Sequence, residues 1–161
     1  MDVREGLLDD PQVQAMLRFH HQDSHATTPA THAFVLDAGA LAGADTVFLT
    51  AWDDQALVGM AALKDLEPGH AELKSMRTHP DHLRKGVGAL LLHRLIAVAR
   101  ARGLTRLSLE TGTGESYVAA HALYRRFGFI DAPAFANYPP DSPHNRYMTL
   151  ALTEAPCPPS S

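Results

Sequence analysis

The hydrophobic pattern in the middle of the chain predicts a strand, a turn, a helix and a second strand. The two strands are Ala71–Thr78 and Leu104–Glu110, and the second of them alternates apolar and polar residues. Between the strands, apolar residues recur three and four positions apart, as they do on the buried face of a helix. Gly103 follows at the position where glycine commonly ends a helix. The apolar helix residues are Leu92, Leu95, Ile96 and Ala99.

The rest of the chain predicts further strands and helices around this unit. Asp9 and Asp10 precede Pro11, which is typical of a helix start because the carboxylates cap the first amides. Pro29–Gly43 is rich in alanine and glycine, and we expect a second short helix there. The other predicted elements are a first strand within residues 1–8, a hairpin of Thr46–Trp52 and Ala56–Leu63, a helix over Glu115–Phe127 and a final strand over Asn145–Leu152.

A basic turn that contains glycines joins the first central strand to its helix. Gly86 and Gly88 allow the backbone to approach a ligand closely, and the first amides of a helix are unpaired donors. Arg84 and Lys85 add positive charge at the same place. The turn therefore predicts a phosphate or pyrophosphate site. A P-loop is disfavoured because no Gly-Lys-Ser/Thr run is present, and a dinucleotide fingerprint because Leu91 replaces its third glycine.

The same turn resembles motif A of the GCN5-related N-acetyltransferase (GNAT) superfamily, written Gln/Arg-x-x-Gly-x-Gly/Ala. Gly86 and Gly88 match the small positions, whereas Leu83 stands where the family has Gln or Arg. The resemblance implies that backbone amides here bind the pyrophosphate of acetyl-CoA, which is the co-substrate. The acetyl-CoA-binding residues that it implies are Met76, Arg77, Thr78, Arg84, Lys85, Gly86, Val87, Gly88, Ala89 and Tyr124.

A second resemblance lies downstream, in the segment Leu123-Tyr124-Arg125-Arg126-Phe127-Gly128-Phe129. It is similar to the Leu-Tyr-x-x-x-Gly-Phe signature of the same superfamily, known as motif B. In that family the tyrosine lies next to the sulfur of CoA, so the resemblance implies that Tyr124 is the general acid for the leaving thiolate. The alternative for Tyr124 is a packing aromatic with a satisfied hydroxyl.

The attacking amine must lose a proton, and a carboxylate with a raised pKa is a suitable base. Glu72 is the first candidate because it lies 14 residues before Gly86, the spacing of the catalytic glutamate in the histone-acetyltransferase branch of the superfamily. Strand alternation predicts that Glu72 shares one face with Lys74, Met76 and Thr78. A structural salt bridge between Glu72 and Lys74 is therefore the alternative.

Glu110, at the end of the neighbouring strand, is the second candidate for the base, acting directly or through water. The resemblance also implies that the backbone amide of Met76 receives the thioester oxygen, which is an oxyanion-hole role.

The two motifs imply the GNAT fold, an α/β fold with a mixed, mostly antiparallel sheet of six to seven strands. In this fold the sheet is splayed between its fourth and fifth strands and carries helices on both faces. We expect a single domain over residues 1–153 and a disordered tail over residues 154–161.

The composition narrows the possible functions. A length of 161 residues with 45% hydrophobic and 20% charged residues fits one globular domain. The net charge of −4 argues against nucleic-acid binding, and no apolar run is long enough to span a membrane. The first residues lack the layout of a signal peptide, so we expect a cytoplasmic protein. Cys157 is the single cysteine and can form no internal disulfide.

Three histidines invite a metal interpretation, since His21 and His25 lie one helical turn apart and His20 precedes them. The sequence nearby offers no matching cluster of Cys, Glu or His, so we expect no metal.

The resulting hypothesis is transfer of an acetyl group from acetyl-CoA to the primary amine of a small molecule, such as an amino acid or a related metabolite. The alternatives are a non-catalytic acyl-CoA sensor and acetylation of a protein lysine or an antibiotic. Homodimers are common in the superfamily, so the resemblance leaves a homodimer open, and the sequence itself does not determine the oligomeric state. Candidates for binding a carboxylate on the acceptor are Arg77, Tyr138, Asp141, Asn145 and the histidines near residue 20.

Overall fold

A computed structural model describes residues 1–27, 41, 43–136 and 138–152, with the side chains of residues 21–27 excepted. Its strands are β1 (Asp2–Glu5), β2 (Thr46–Asp53), β3 (Ala56–Glu67), β4 (His70–Thr78), β5 (Arg106–Thr111), β6 (Ile130–Asp131) and β7 (Arg146–Ala151). Its helices are α1 (Pro11–Thr27), α2 (Val87–Ala101) and α3 (Val118–Arg126), with short 3₁₀ turns at Pro80–His82 and Glu115–Tyr117. No helix among these residues is both long and apolar enough to cross a bilayer.

The strands form one seven-stranded sheet in the order β1-β2-β3-β4-β5-β7-β6. All neighbours are antiparallel except β4 and β5, which run parallel. Their pairing extends only from His70 and Arg106 to Leu73 and Leu109, although β4 continues to Thr78. The two strands therefore part at their carboxyl ends, which confirms the predicted splay between the fourth and fifth strands.

Two hydrophobic cores lie on opposite faces of the sheet, because successive residues of a strand point to opposite sides. On β3, Val58 and Leu63 belong to the core under α2, whereas Leu57 and Met60 belong to the core under α1. The helices α2 and α3 contribute to one core and α1 to the other, so the predicted helices on both faces are confirmed. The buried stripe of α2 contains Val87, Leu91, Leu92, Leu95, Ile96 and Ala99, and that of α1 contains Val13 and Met16.

The ends of the two long helices follow the predicted signals. The Asp10 carboxylate accepts hydrogen bonds from the amides of Gln12 and Val13, at 2.8 and 3.4 Å. After the C-terminal end of α2, Gly103 has a φ of 77°, and its amide donates to the carbonyl of Arg100 at 3.0 Å. These contacts satisfy backbone groups that a helix end otherwise leaves unpaired.

A β-bulge in β4 corrects the prediction that one face of this strand carries Glu72, Lys74, Met76 and Thr78. Ala62 pairs with Lys74 and Met60 with Arg77, so two residues of β4 oppose one residue of β3. Ser75 adopts a left-handed backbone with a φ of 55°. The extra residue switches the alternation, and Met76 consequently packs against the core under α2.

The remaining differences from the predictions are local. The segment Glu115–Phe127 begins with a 3₁₀ turn and becomes α-helical only at Val118. The two-residue strand β6 was not predicted, because two residues carry no recognisable period. The short helix expected in Pro29–Gly43 falls largely outside the described residues, and so does the expected tail over residues 154–161.

Candidate active site

The splay between β4 and β5 opens a cleft of about 490 Å³, bounded by both strands, by the first turn of α2 and by one face of α3. The cleft brings together all but one of the residues that the sequence singled out for catalysis and acetyl-CoA. These lining residues are Glu72, Met76, Arg77, Thr78, Arg84, Gly86, Val87, Gly88, Ala89, Glu110 and Tyr124. The exception is Lys85, whose ammonium group lies 3.3 Å from Nδ1 of His82.

One end of the cleft is formed by the amides of Gly86–Ala89, which we call the amide cradle. The first backbone hydrogen bond of α2 runs from the amide of Leu90 to the carbonyl of Gly86 at 3.0 Å. The four preceding amides, those of Gly86–Ala89, therefore have no acceptor in the helix itself. Gly86 has a φ of 83°, and the space where its Cβ would stand holds no atom within 4 Å. This open row of donors at the positive end of a helix dipole fits a pyrophosphate.

A close approach between strand and helix holds the amide cradle against the sheet. A Cβ at Gly59 on β3 would lie 2.5 Å from Cγ1 of Val87 and 3.1 Å from the carbonyl oxygen of Arg77. Glycine at this position therefore lets the first residue of α2 pack directly on the strand. Gly88 plays the same part toward α3, since a Cβ there would lie 2.9 Å from Cδ2 of Leu123.

Glu72 is buried in the wall of the cleft that faces α1. Its Oε2 accepts a hydrogen bond from the hydroxyl of Tyr138 and lies 3.5 Å from Nζ of Lys74. Lys74 also donates to the Tyr138 hydroxyl at 3.1 Å, which closes a triangle of polar groups. Burial raises the pKa of Glu72 above its usual value, and the charge of Lys74 and the Tyr138 hydrogen bond act against that rise.

Glu110 occupies the end of β5, across the splay from β4. Burial raises the pKa of its carboxyl to about 7, and the negative charge of Glu72 acts in the same direction. Asn145 donates a hydrogen bond from Nδ2 to Oε2 of Glu110 at 2.7 Å, which opposes the rise. The two carboxylates predicted as candidate bases are thus electrostatically coupled within one cleft.

Tyr124 is a buried residue of α3 whose ring packs against Phe129, with the ring centroids 5.8 Å apart. Burial raises the pKa of its hydroxyl, and the charge of Glu110 raises it further. The tyrosine therefore remains protonated at neutral pH. The Tyr124 side chain therefore belongs to the core under α2 and also lines the cleft.

His121 was not singled out from the sequence, although it is buried beside the cleft. Its Nε2 lies 2.8 Å from the carbonyl oxygen of Gly112, and its Nδ1 lies 3.2 Å from Nη1 of Arg146. The carbonyl can only accept and the guanidinium can only donate, so these two contacts fit the tautomer that carries its proton on Nε2. Its spacing of three residues before Tyr124, on the same helix face, was the available signal.

The residues predicted to contact an acceptor carboxylate are only partly brought together. His20 and Tyr138 line the cleft, and Nδ1 of His20 accepts a hydrogen bond from Nε of Arg77 at 3.0 Å. Asn145 instead contacts Glu110, and Asp141 is an exposed residue outside the cleft lining.

Within the described side chains, no group of three or more His, Cys, Asp or Glu is arranged to hold a metal ion. The side chains of His21 and His25 lie outside that set.

A splayed sheet with an amide cradle at its opening is the arrangement expected of acyl-CoA-dependent N-acyltransferases. Residues 8–129 match the model of the Acetyltransferase (GNAT) family, and the chain belongs to that family. The match includes both resembling motifs, so the expectation of a GNAT acetyltransferase is confirmed.

Curated relatives cover nearly the whole chain. The uncharacterized N-acetyltransferase YedL of Escherichia coli is 42% identical over 152 residues, which are 94% of this chain and 95% of that protein. The uncharacterized N-acetyltransferase YsnE of Bacillus subtilis is 38% identical over 94% of this chain and all of its own length. An IAA acetyltransferase of Azospirillum brasilense is 41% identical over 77% of this chain and 80% of that protein.

Solved structures show the same fold. An acyl-CoA N-acyltransferase of Klebsiella pneumoniae superimposes with a TM-score of 0.75 at 29% identity, covering 94% of this chain and 97% of that one. The Salmonella typhimurium acetyltransferase yncA, solved with acetyl-CoA, gives a TM-score of 0.71 at 20% identity, with 98% and 96% of the two chains covered.

Proposed function

We propose that the protein transfers the acetyl group of acetyl-CoA to the primary amine of a small molecule by direct attack, with Glu110 as the base. The observation that carries this proposal is the cleft itself, in which the amide cradle, the buried carboxylate of Glu72 and the half-buried carboxylate of Glu110 face one opening. Donors for a pyrophosphate and a base for an amine are the two requirements of the reaction.

Glu110 is better suited than Glu72 to accept the amine proton. The Oε2 atom of Glu72 accepts from Tyr138 and lies against the Lys74 ammonium, a cation that lowers its basicity, whereas Oε2 of Glu110 accepts from the neutral amide of Asn145. Glu110 has a pKa of about 7, and a base is most effective when its pKa lies near the operating pH. In this assignment Glu72 raises the pKa of Glu110 and anchors Lys74 and Tyr138.

The chain's residues then share the reaction as follows. Glu110 takes the amine proton while the N–C bond forms, and the C–S bond breaks with its electron pair leaving on sulfur. Tyr124 donates a hydrogen bond toward the departing sulfur. Complete proton transfer from Tyr124 would run uphill, because its pKa is raised above 10 whereas a thiol has a pKa of about 8.5. The Met76 amide, beside the Ser75 bulge, is the donor assigned to the thioester oxygen.

The test compares Glu110→Gln with Glu115→Gln, which makes the same chemical change at an exposed glutamate on the 3₁₀ turn before α3. Thiol release from acetyl-CoA is measured with a panel of small amines, and acetyl-CoA binding is measured by thermal shift. We expect Glu110→Gln to lower kcat/KM about 100-fold or more with unchanged binding, and Glu115→Gln to leave both unchanged.

A loss of less than about threefold in Glu110→Gln, equivalent to roughly 0.7 kcal/mol in the barrier, would exclude Glu110 as the base. If none of the amines caused thiol release from acetyl-CoA, acetyl transfer to a small amine would be excluded.

A further inference from the structure

We propose that the acceptor amine carries a carboxylate, and that the ammonium group of Lys74 binds it beside Glu72 and Tyr138. This inference rests on the proposed function and specifies its substrate class. It assigns Lys74 as a residue that determines specificity.

The bulge at Ser75 separates two sides of the cleft. Met76 packs in the core under α2, and Oγ1 of Thr78 lies 3.9 Å from the Cβ position of Gly88, so this side of β4 faces the amide cradle. Arg77 points to the opposite side, where its guanidinium lies over the ring of Phe19 on α1 at 5.2 Å.

Lys74 shares that opposite side, because it precedes the bulge on the same face as Glu72. Its ammonium group is therefore turned away from the amide cradle, and a ligand anion that reaches it belongs to the acceptor. The Lys74 side chain is only 12% exposed, so an ionic contact there is screened little by solvent.

The charge of Lys74 is unfavourable both for accepting a proton at the neighbouring carboxylates and for binding a cationic amine. A cation lowers the basicity of Glu72 and Glu110, and it repels the ammonium form of an incoming amine. Two of its three N–H groups are directed to Glu72 and Tyr138, which leaves one donor for a ligand. A carboxylate on the acceptor turns the repulsion into attraction, since the acceptor then presents opposite charges to Glu110 and to Lys74.

A structural salt bridge with Glu72 is the competing explanation of Lys74, and paired substrates separate the two. An amino acid and its carboxamide differ only in the group that Lys74 is proposed to bind. The carboxamide is intrinsically the better nucleophile at neutral pH, because a neighbouring carboxylate favours the charged form of the amine. A preference for the carboxylate therefore has to come from the protein.

The experiment measures kcat/KM with saturating acetyl-CoA for a panel of L-amino acids and their carboxamides, using wild type, Lys74→Gln and Lys64→Gln. Lys64 pairs with Glu72 across β3 and β4 and does not line the cleft, so its variant removes the same charge from a neighbouring site. We expect wild type and Lys64→Gln to favour the carboxylate about 10- to 100-fold, the effect of one charge-assisted hydrogen bond, and Lys74→Gln to bring the ratio near one.

Turnover of amines with no preference for the carboxylate in wild type would overturn the inference and leave the proposed function intact. An equal loss for both substrate forms in Lys74→Gln would assign Lys74 to the structural role and also overturn it. If no amine caused thiol release from acetyl-CoA, both the proposed function and this inference would be excluded.

Discussion

His121 donates a hydrogen bond from Nε2 to the carbonyl oxygen of Gly112 over 2.8 Å, and this contact ties α3 to the end of β5. The same ring accepts from Arg146, the first residue of β7. Tyr124, Glu110 and Asn145 belong to or border these three elements, so one buried imidazole connects the parts of the fold that carry them.

Replacing His121 is expected to misplace Tyr124 relative to Glu110. His121→Phe leaves the Gly112 carbonyl and Arg146 without this partner, which costs about 1–3 kcal/mol of folding free energy. We expect kcat to fall while the KM for acetyl-CoA stays constant, because the amide cradle lies on α2. His121→Gln keeps a donor and an acceptor, so its kcat and stability should fall less. His93→Gln, on the exposed face of α2, is the control and should leave kcat and stability unchanged. A rise in the KM for acetyl-CoA in His121→Phe as large as the fall in kcat would show that His121 also supports acetyl-CoA binding and would contradict this prediction.

The titration of Glu110 should also appear in the stability of the protein. The carboxyl has a pKa of about 7 in the folded state and about 4.5 when unfolded, so between these values the folded state holds more protons. The free energy of unfolding therefore decreases as the pH rises through this window. Its contribution is complete below about pH 4.5 and is lost as the pH passes about 7.

Scanning calorimetry of wild type and Glu110→Gln from about pH 5 to about pH 8 measures this contribution. The melting temperature of wild type should fall relative to the variant as the pH rises. A constant difference between the two proteins would show that the folded-state pKa of Glu110 is not raised.

Tyr124→Phe removes the hydroxyl and retains the packing against Phe129. We expect kcat to fall about 10- to 100-fold, since a hydrogen bond to a developing charge is lost, with little change in stability. Tyr117→Phe, which also lines the cleft, is the matched control and should retain full kcat. Equal rates for Tyr124→Phe and wild type would reduce Tyr124 to a packing residue.

Gly59→Ala should displace the amide cradle, because the new methyl group would press on Val87 at the start of α2. The new methyl group would stand 2.5 Å from Cγ1 of Val87, and such overpacking costs about 1–3 kcal/mol. We expect a lower melting temperature together with weaker acetyl-CoA binding in a thermal-shift titration. Gly114→Ala is the control, because a Cβ there meets no atom within 4 Å and its φ of −76° suits alanine. A stability loss with unchanged binding would show that the cradle tolerates the displacement of α2.

Much of the fold could be predicted because its long elements have clear periods. The helix that begins at Val87 and the hairpin of β2 and β3 follow directly from the spacing of their apolar residues. The splay was reached through the resemblance to a family and not through periodicity. No local pattern reports how far two parallel strands remain paired.

The site was predictable in its members but not in its arrangement. The residues Lys74-Ser75-Met76 contain no glycine or asparagine to mark a left-handed backbone, so alternation placed Met76 on the wrong face. His121 reads as an ordinary polar residue on a short helix, because its two partners come from distant parts of the chain. The high pKa of Glu110 likewise arises from burial, which only the assembled fold creates.

The single extra residue at Ser75 allows the two halves of the site to evolve separately. In the proposed arrangement, one side of β4 contacts the acetyl donor and the other side contacts the acceptor, so a substitution on either side alters one set of contacts. A lineage can therefore exchange one amine for another while its donor site stays constant. The proposed arrangement thus uses one extra residue in a strand to separate the surface that determines the acceptor from the surface that binds the acetyl donor.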